Sequence, residues 1–323
     1  MKKHLAYLGM LSATIIWGLN FVMLKIALGQ YPVLPFLFFR FLLGATFLFA
    51  LAQTHPHWRE GWRQAPRRSI AWLSLIVAFG YIASAAGLAL GVSAGLAAMI
   101  NALILITTPS LVWLHGGHRP NLRFGISIAL ALGAVLLVAI PSLGHLNPLM
   151  LLGIGLEGIS LVAFSLQIII IERIMKSVDA IALAGSQLMM LALLFGGLTL
   201  ISRTFKPLTV SEIIIIALSG LGASAIGFAL QAIAQKHIDS TSIAAINALE
   251  PGFAIVFSAV LIGTRISVLD GMAILGLGLA ATMETSAMRM FCSLIVQALR
   301  DFLQMSSVYR YIMEQQSLLG ESD

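Results

Sequence analysis

The chain has little of what a soluble enzyme is built from. Its single cysteine, Cys292, excludes an intrachain disulfide framework and any multi-cysteine zinc or iron–sulfur site. Its seven histidines are scattered. There is no His-Glu-x-x-His pair, no Gly-x-x-x-x-Gly-Lys-Ser/Thr phosphate loop and no Gly-x-Ser-x-Gly elbow, so no cofactor is expected. Charge is scarce as well. Asp, Glu, Lys and Arg make up 10% of the residues, against about 25% in an average soluble domain. Hydrophobic residues make up 59% and the mean hydropathy is +0.98, which leaves too little polar surface to cover a soluble fold. The formal net charge of +6 therefore speaks about the placement of loops in a membrane, and no nucleic-acid partner is expected.

What the chain does have is long apolar runs, at about 5–27, 35–52, 70–90, 93–114, 124–140, 150–171, 180–200, 211–232, 241–262 and 267–287. Each is close to the ~20 residues a helix needs to cross a bilayer. Lipid cannot satisfy open backbone groups, and the runs lack the alternation of barrel strands, so the segments must be helical. The expected fold class is an all-α integral membrane protein with ten transmembrane helices. Met1–His4 ahead of an apolar run resembles a signal peptide, but the run is too long and further spans follow. Between the spans, the stretch His55–Glu60 opens the longest loop, and the break at Gly91 is the weakest. With the amino terminus inside, Lys2, Lys3, Arg59, Arg63, Arg67, Arg68, Arg119, Arg123, Arg173, Lys176 and Lys236 fall on the inner side. Lys25, Arg203, Lys206 and Arg265 fall outside. The excess of basic residues predicts that both termini are cytoplasmic, in an inner (plasma) membrane.

The chain also repeats itself. Ile100-Asn101-Ala102-Leu103 recurs as Ile246-Asn247-Ala248-Leu249. At the same offset Arg119 meets Arg265 and Gly125 meets Gly271. One residue further, Trp17-Gly18-Leu19-Asn20 meets Phe164-Ser165-Leu166-Gln167, and Arg40 meets Gln187. Two five-helix copies are expected, 1–140 and 141–287, followed by a tail, 288–323. An odd number of spans per copy turns the second upside down relative to the first. Inverted repeats mark transporters with a site near the midplane between the halves.

The first span, with Trp17-Gly18-Leu19-Asn20-Phe21 and Lys25, resembles the opening pattern of the EamA-type family of the drug/metabolite transporter superfamily. Pro35 with Arg40-Phe41-Leu42 is similar to its second-span pattern. Leu249-Glu250-Pro251 with Gly263-Thr264-Arg265 resembles its ninth-span motif and the loop after it. The resemblance covers about residues 5–287. It implies ten helices in inverted halves and transport of small metabolites, often outward. The chain departs from the family's Gly-Glu-Arg after spans four and nine, having His118 and Thr264 at the middle positions.

Ionisable groups inside spans are costly and mark cavities or partners. Glu250 lies mid-span, with Asn247, Ala254 and Ser258 on one small, polar face, and Pro251 loosens the backbone beside it. It is a candidate to carry a coupling proton or to meet a cationic substrate group. Arg40 is a candidate to pair with Glu157 or Glu250, or to hold a substrate carboxylate in bidentate geometry. Glu157 follows Gly153 and Gly155 and precedes Gly158. It is a second candidate for proton coupling, with snorkelling to the outer interface as the alternative. Trp17 and Asn20 share a face of the first span and offer an aromatic wall and an amide; a helix–helix hydrogen bond is the plainer reading. Asn101, Gln167 and Gln187 complete the candidate substrate site, and no metal site is expected. Gly220, Gly222, Gly227, Gly271, Gly276 and Gly278 read as small-residue packing seams. The tail, with Phe291, Leu294, Ala298 and Phe302 at helical spacing, reads as an amphipathic helix on the membrane surface.

These features point to a non-enzymatic secondary transporter, an exporter of small metabolites working by alternating access. The expected partners are a small-molecule substrate, the lipid bilayer and protons as the coupling ion, with the protein acting as a monomer or homodimer. A non-transporting receptor or channel, and an intramembrane enzyme, are the alternative classes.

Overall fold

A computed structural model describes residues 2–28, 31–116, 122–143 and 147–284. Among the described residues every regular element is helical. In chain order these are α1 (Lys2–Leu28), α2 (Val33–Gln53), α3 (Pro56–Gln64), α4 (Arg67–Ala89), α5 (Ala94–Ala102), α6 (Ile104–Leu114), α7 (Leu122–Leu143), α8 (Pro148–Ile174) and α9 (Ala180–Ser202). Then follow α10 (Val210–Leu218), a π-helical segment (Ser219–Ile226), α11 (Gly227–Gln235), α12 (Ser240–Asn247), α13 (Glu250–Ile262) and α14 (Val268–Glu284).

Nine stretches among the described residues are long and apolar enough to cross a bilayer: α1, α2, α4, α5–α6, α7, α8, α9, α10–α11 and α12–α13. α14 is apolar but shorter, at 17 residues. The outer surface is apolar, with Leu193, Leu200, Ile201 and Val260 exposed, as a lipid-facing surface must be.

Local chemistry sets the boundaries. Ser93 caps α5 by accepting from Leu96 N–H, Asn147 caps α8 from Met150 N–H, and Asp179 caps α9 from Ile181 and Ala182 N–H. Thr209 and Glu212 form a reciprocal capping box at α10. Each satisfies backbone donors that a helix start leaves open. Gly91 at φ 100° turns the chain between α4 and α5, so the weakest break in the sequence is a real one.

Two features depart from the sequence reading. The loop opened by His55 carries a helix, α3, whose Trp62 ring lies over Gly185 of α9; a Cβ there would stand 2.2 Å from it. The glycine seams are selective. A Cβ at Gly220 would come 2.9 Å from the Arg40 carbonyl, and one at Gly227 2.6 Å from the Trp17 indole nitrogen. Among the described residues, Gly155, Gly158, Gly271 and Gly278 have no such neighbour within 4 Å, so no close packing is seen there. The tail helix, Arg119 and His118 lie outside the described residues, as does the side chain of Lys25.

The packing repeats between the halves. α2 lies against α9 and α7 against α14, while α4 on α8 is matched by α11 on α1. The repeated Ile-Asn-Ala-Leu segments fall on equivalent interruptions: the first span breaks at Leu103, the second at Ala248–Leu249. Pro251 sits in the first turn of α13, where its missing N–H costs nothing.

Candidate functional site

A cavity lies where the two halves meet. Its volume is about 180 Å³, room for several waters at about 30 Å³ each. Its wall includes Trp17, Asn20, Arg40, Asn101, Gln167, Asn247 and Glu250, seven of the residues singled out in the sequence. It extends toward Val33 at the start of α2 and Leu88 near the end of α4. At the opposite end Met10, Ile168, Ala234, Ile243 and Ile246 form an apolar plug.

Residues related by the internal repeat line this wall together. Trp17 and Phe164, Asn20 and Gln167, and Asn101 and Asn247 all do so. Extending the same offsets pairs Tyr81 with Phe228, Ser84 with Gln231 and Ile104 with Glu250, and these line it too. The duplication has therefore placed matching positions of both copies around one space, while the ionisable groups are single. Glu250 faces its twin Ile104, and Arg40 has no cavity-lining twin, because Gln187 is not among the lining residues.

Arg40 is 2% exposed. Its Nε donates to Ser224 Oγ at 2.8 Å, and its guanidinium carbon stands 5.4 Å from the Phe41 ring centroid. Among the described residues its Nη nitrogens have no hydrogen-bond acceptor, and the ion pairs within 4.0 Å are His57–Asp179 and Lys236–Asp179. Arg40 makes no ion pair within 4.0 Å with Glu157 or Glu250, although it lies near enough to Glu250 for the two charges to interact. A guanidinium is held at one wall of the cavity by a hydroxyl, with its planar fork left free. Glu250 likewise lines the cavity without a hydrogen bond to its carboxyl among the described residues. Asn247 Oδ1 accepts from Thr14 Oγ1 at 3.3 Å, and the Gln167 and Gln231 amides line the cavity. Ala254 and Ser258 do not line it, so the stripe read through four positions reaches the cavity at two of them.

The chain matches the EamA-like transporter family over residues 4–140 and 151–285. It is a member of that family. The two tandem matches coincide with the two halves whose repeated positions meet at the cavity. No curated protein matches the chain. A solved crystal structure superposes on this EamA-like protein with a TM-score of 0.71 at 18% identity, over 88% of this chain and 98% of the other; at that identity the likeness is one of fold.

The two remaining sequence candidates sit elsewhere. Gln187 is 1% exposed in α9, where its backbone carbonyl accepts from Ser74 Oγ at 3.4 Å. Glu157 is fully buried rather than snorkelling. Its Oε1 accepts from Ser84 Oγ at 3.1 Å and its Oε2 from Asn101 Nδ2 at 3.5 Å.

Trp17 and Asn20 serve both readings offered for them. The Trp17 indole donates to the Ala223 carbonyl at 2.8 Å and Asn20 Oδ1 accepts from Ser219 Oγ, yet both line the cavity. Their partners, with Ser224, all belong to the π-helical segment. The sequence reading missed these serines. Such widened turns favour functional positions, and the signal was present as the small-residue run Ser219-Gly220-Leu221-Gly222-Ala223-Ser224. Tyr81 was missed as well: it joins an aromatic chain to Phe164, 5.2 Å between centroids, and to Phe41 at 5.4 Å.

Proposed function

We propose that this EamA-like protein is a secondary transporter that exports a small polar or amphipathic metabolite by alternating access. The observation that carries the reading is the shared cavity, in which a free guanidinium and an unpartnered carboxyl stand among amides and aromatic rings. Arg40 would hold an anionic group of the substrate through its Nη fork, as guanidinium geometry favours. Glu250 would meet a cationic group or carry a coupling proton, with Glu157 the other carboxyl available for coupling. Trp17, Asn20, Asn101, Gln167 and Asn247 would form the remaining contacts; Gln187 would act through the α2–α9 packing behind Arg40.

In this reading the chain forms ten spans as two inverted halves, residues 1–140 and 141–287, with both termini cytoplasmic in the plasma membrane. The cavity then extends toward the outer face, and the apolar plug around Met10 and Ile243 closes the inner one. Rocking of one half against the other would exchange the two closures.

The test is thermal stability of the purified protein against a panel of metabolites. A ligand at about 100 times its Kd adds about 2.7 kcal/mol to the folded state. The expected result is a hit that Arg40→Ala and Glu250→Gln each weaken. A hit that both variants leave unchanged would remove this cavity as the substrate site.

A further inference from the structure

Glu157 is a buried ionisable group that does not line the cavity. It is 0% exposed and lies about 14 Å along the helix axis from Pro148, at about 1.5 Å per residue. In the 27-residue α8 that is about a third of the way along the helix. Its two hydrogen-bond donors, Ser84 and Asn101, are both neutral, and the longer bond, 3.5 Å, is at the outer limit of a useful contact.

No counter-charge reaches it. The main neighbours of α8 are α4, α5, α6, α11 and α12. α5, α6, α11 and α12 contain no acidic, basic or tyrosine residue. α4 carries Tyr81, one turn before Ser84, and Arg67 and Arg68 at its far end. Arg40 and Glu250 lie across the cavity. Among the described residues no cationic group is within 4.0 Å of Glu157.

The internal repeat supplies a control for what packing alone requires. The offset that pairs Trp17 with Phe164 pairs Glu157 with Met10, which is also 0% exposed. The same offset pairs Gly153 with Ala6 and Gly87 with Ala234, and these three twins lie in one apolar cluster. At one of the two related positions Met10 of the first copy lies with Ala6 of its own helix and Ala234 of the other half. At the other, Glu157 of the second copy follows its own Gly153 and lies against Gly87 of the first. A Cβ at Gly87 would stand 2.9 Å from Glu157 Oε1, and one at Gly153 2.9 Å from the Gly87 carbonyl. The missing methyl at Gly87 leaves room for the carboxyl, and the one at Gly153 lets α8 approach α4.

We propose that Glu157 is a proton-binding site of this transporter, distinct from the substrate cavity and reached from it through the Ser84 hydroxyl. The inference rests on the transport reading above. A hydronium ion in the cavity gives up its proton, which forms an O–H bond on the carboxylate and leaves water behind, and the Ser84 hydroxyl turns from donor to acceptor. The step neutralises one negative charge and transfers no other group. A buried carboxyl without a counter-ion favours such neutralisation. Ser84 and Asn101 both line the cavity, and Asn101 lies two residues before the break at Leu103. A change in what Glu157 accepts is thus felt at the interrupted span.

The experiment needs no substrate. Infrared difference spectra of the full chain in lipid nanodiscs are recorded against pH, following the stretch of protonated carboxyl groups. One titrating band should vanish in Glu157→Gln and in Glu157→Met, and persist in Glu250→Gln. The Met variant copies the twin position and should fold. Ser84→Ala should move that band's midpoint to higher pH, because it removes a donor that favours the charged form. A titration unchanged in both Glu157 variants would overturn the proposal. So would loss of the band on adding sodium at fixed pH, which would make the site one for a metal cation. An empty metabolite panel with this titration intact would instead count against the transport reading.

Discussion

Replacing Gly18 with alanine tests whether the cavity depends on close backbone contact between the halves. Gly18 is buried in α1, against α13. A Cβ built on it would stand 2.6 Å from Phe253 Cβ, 3.0 Å from the Glu250 carbonyl oxygen and 3.1 Å from Ala254 N. Relaxed carbon–carbon contacts lie at about 3.5–4.0 Å, so the two helices must part by about 1 Å. None of the three atoms is the end of a flexible side chain, so the strain cannot be relieved by a rotamer change. Overpacking of this kind costs about 1–3 kcal/mol. Replacing glycine within a helix returns about 0.5–1 kcal/mol. The net loss of about 0–2.5 kcal/mol corresponds to a fall of up to about 5 °C in apparent Tm at about 2 °C per kcal/mol, the lower end of the scale for large chains. The separation falls at the residue bearing the cavity carboxyl, so stabilisation by any cavity ligand should shrink as well. Gly155→Ala is the control: it lies in α8 with nothing within 4 Å of its would-be Cβ, and its Tm should hold or rise. A Gly18→Ala protein as stable as the wild type, with ligand stabilisation intact, would refute the contact and the reasoning built on it.

Three further outcomes follow from the same geometry. Ser224→Ala removes the acceptor of Arg40 Nε, a hydrogen bond to a charged group of about 1.5–3 kcal/mol, and should lower Tm; Arg40→Lys should not restore it, because an ammonium lacks the fork. Asp179→Ala should destabilise by about 0.5–2 kcal/mol through loss of the α9 cap, whereas Asp179→Asn keeps a capping oxygen and loses only the contacts to His57 and Lys236. Equal melting temperatures for the two variants would make the ion contacts, not the cap, the source of the effect. Trp62→Ala removes the ring lying over Gly185 and should release α3, read as faster amide exchange across Pro56–Gln64 with exchange in α9 unchanged.

How far the sequence reaches is visible in particular elements. The membrane spans were legible because an apolar run is set by bilayer thickness, not by its neighbours; nine of the ten expected runs are long apolar stretches and the last is the shorter α14. The helix in the loop after α2 was not, since Trp62 finds its partners, Phe49 of α2 and Gly185 of α9, only once those helices are beside it. Both interruptions fall on the repeated Ile-Asn-Ala-Leu segments, which the sequence marked as special without saying what they do.

The candidate site divides in the same way. An ionisable or amide group in a span announces itself by its cost in lipid, and six such candidate positions, together with Trp17, share one cavity. Helical spacing tells which residues share a face of one helix, but not which face meets which neighbour. Nothing in the sequence separates Glu250, which opens onto the cavity, from Glu157, which Ser84 and Asn101 screen from it. Nor does it reveal that Arg40 would rest on Ser224. That contact exists because Gly44 and Gly220 let α2 and the π-helical segment approach within van der Waals distance of each other's backbone. Composition and the repeat determined a membrane protein made of two copies. Tertiary packing decided which few of its polar groups face one another, because that depends on helix rotation and separation, which no single helix carries in its own sequence.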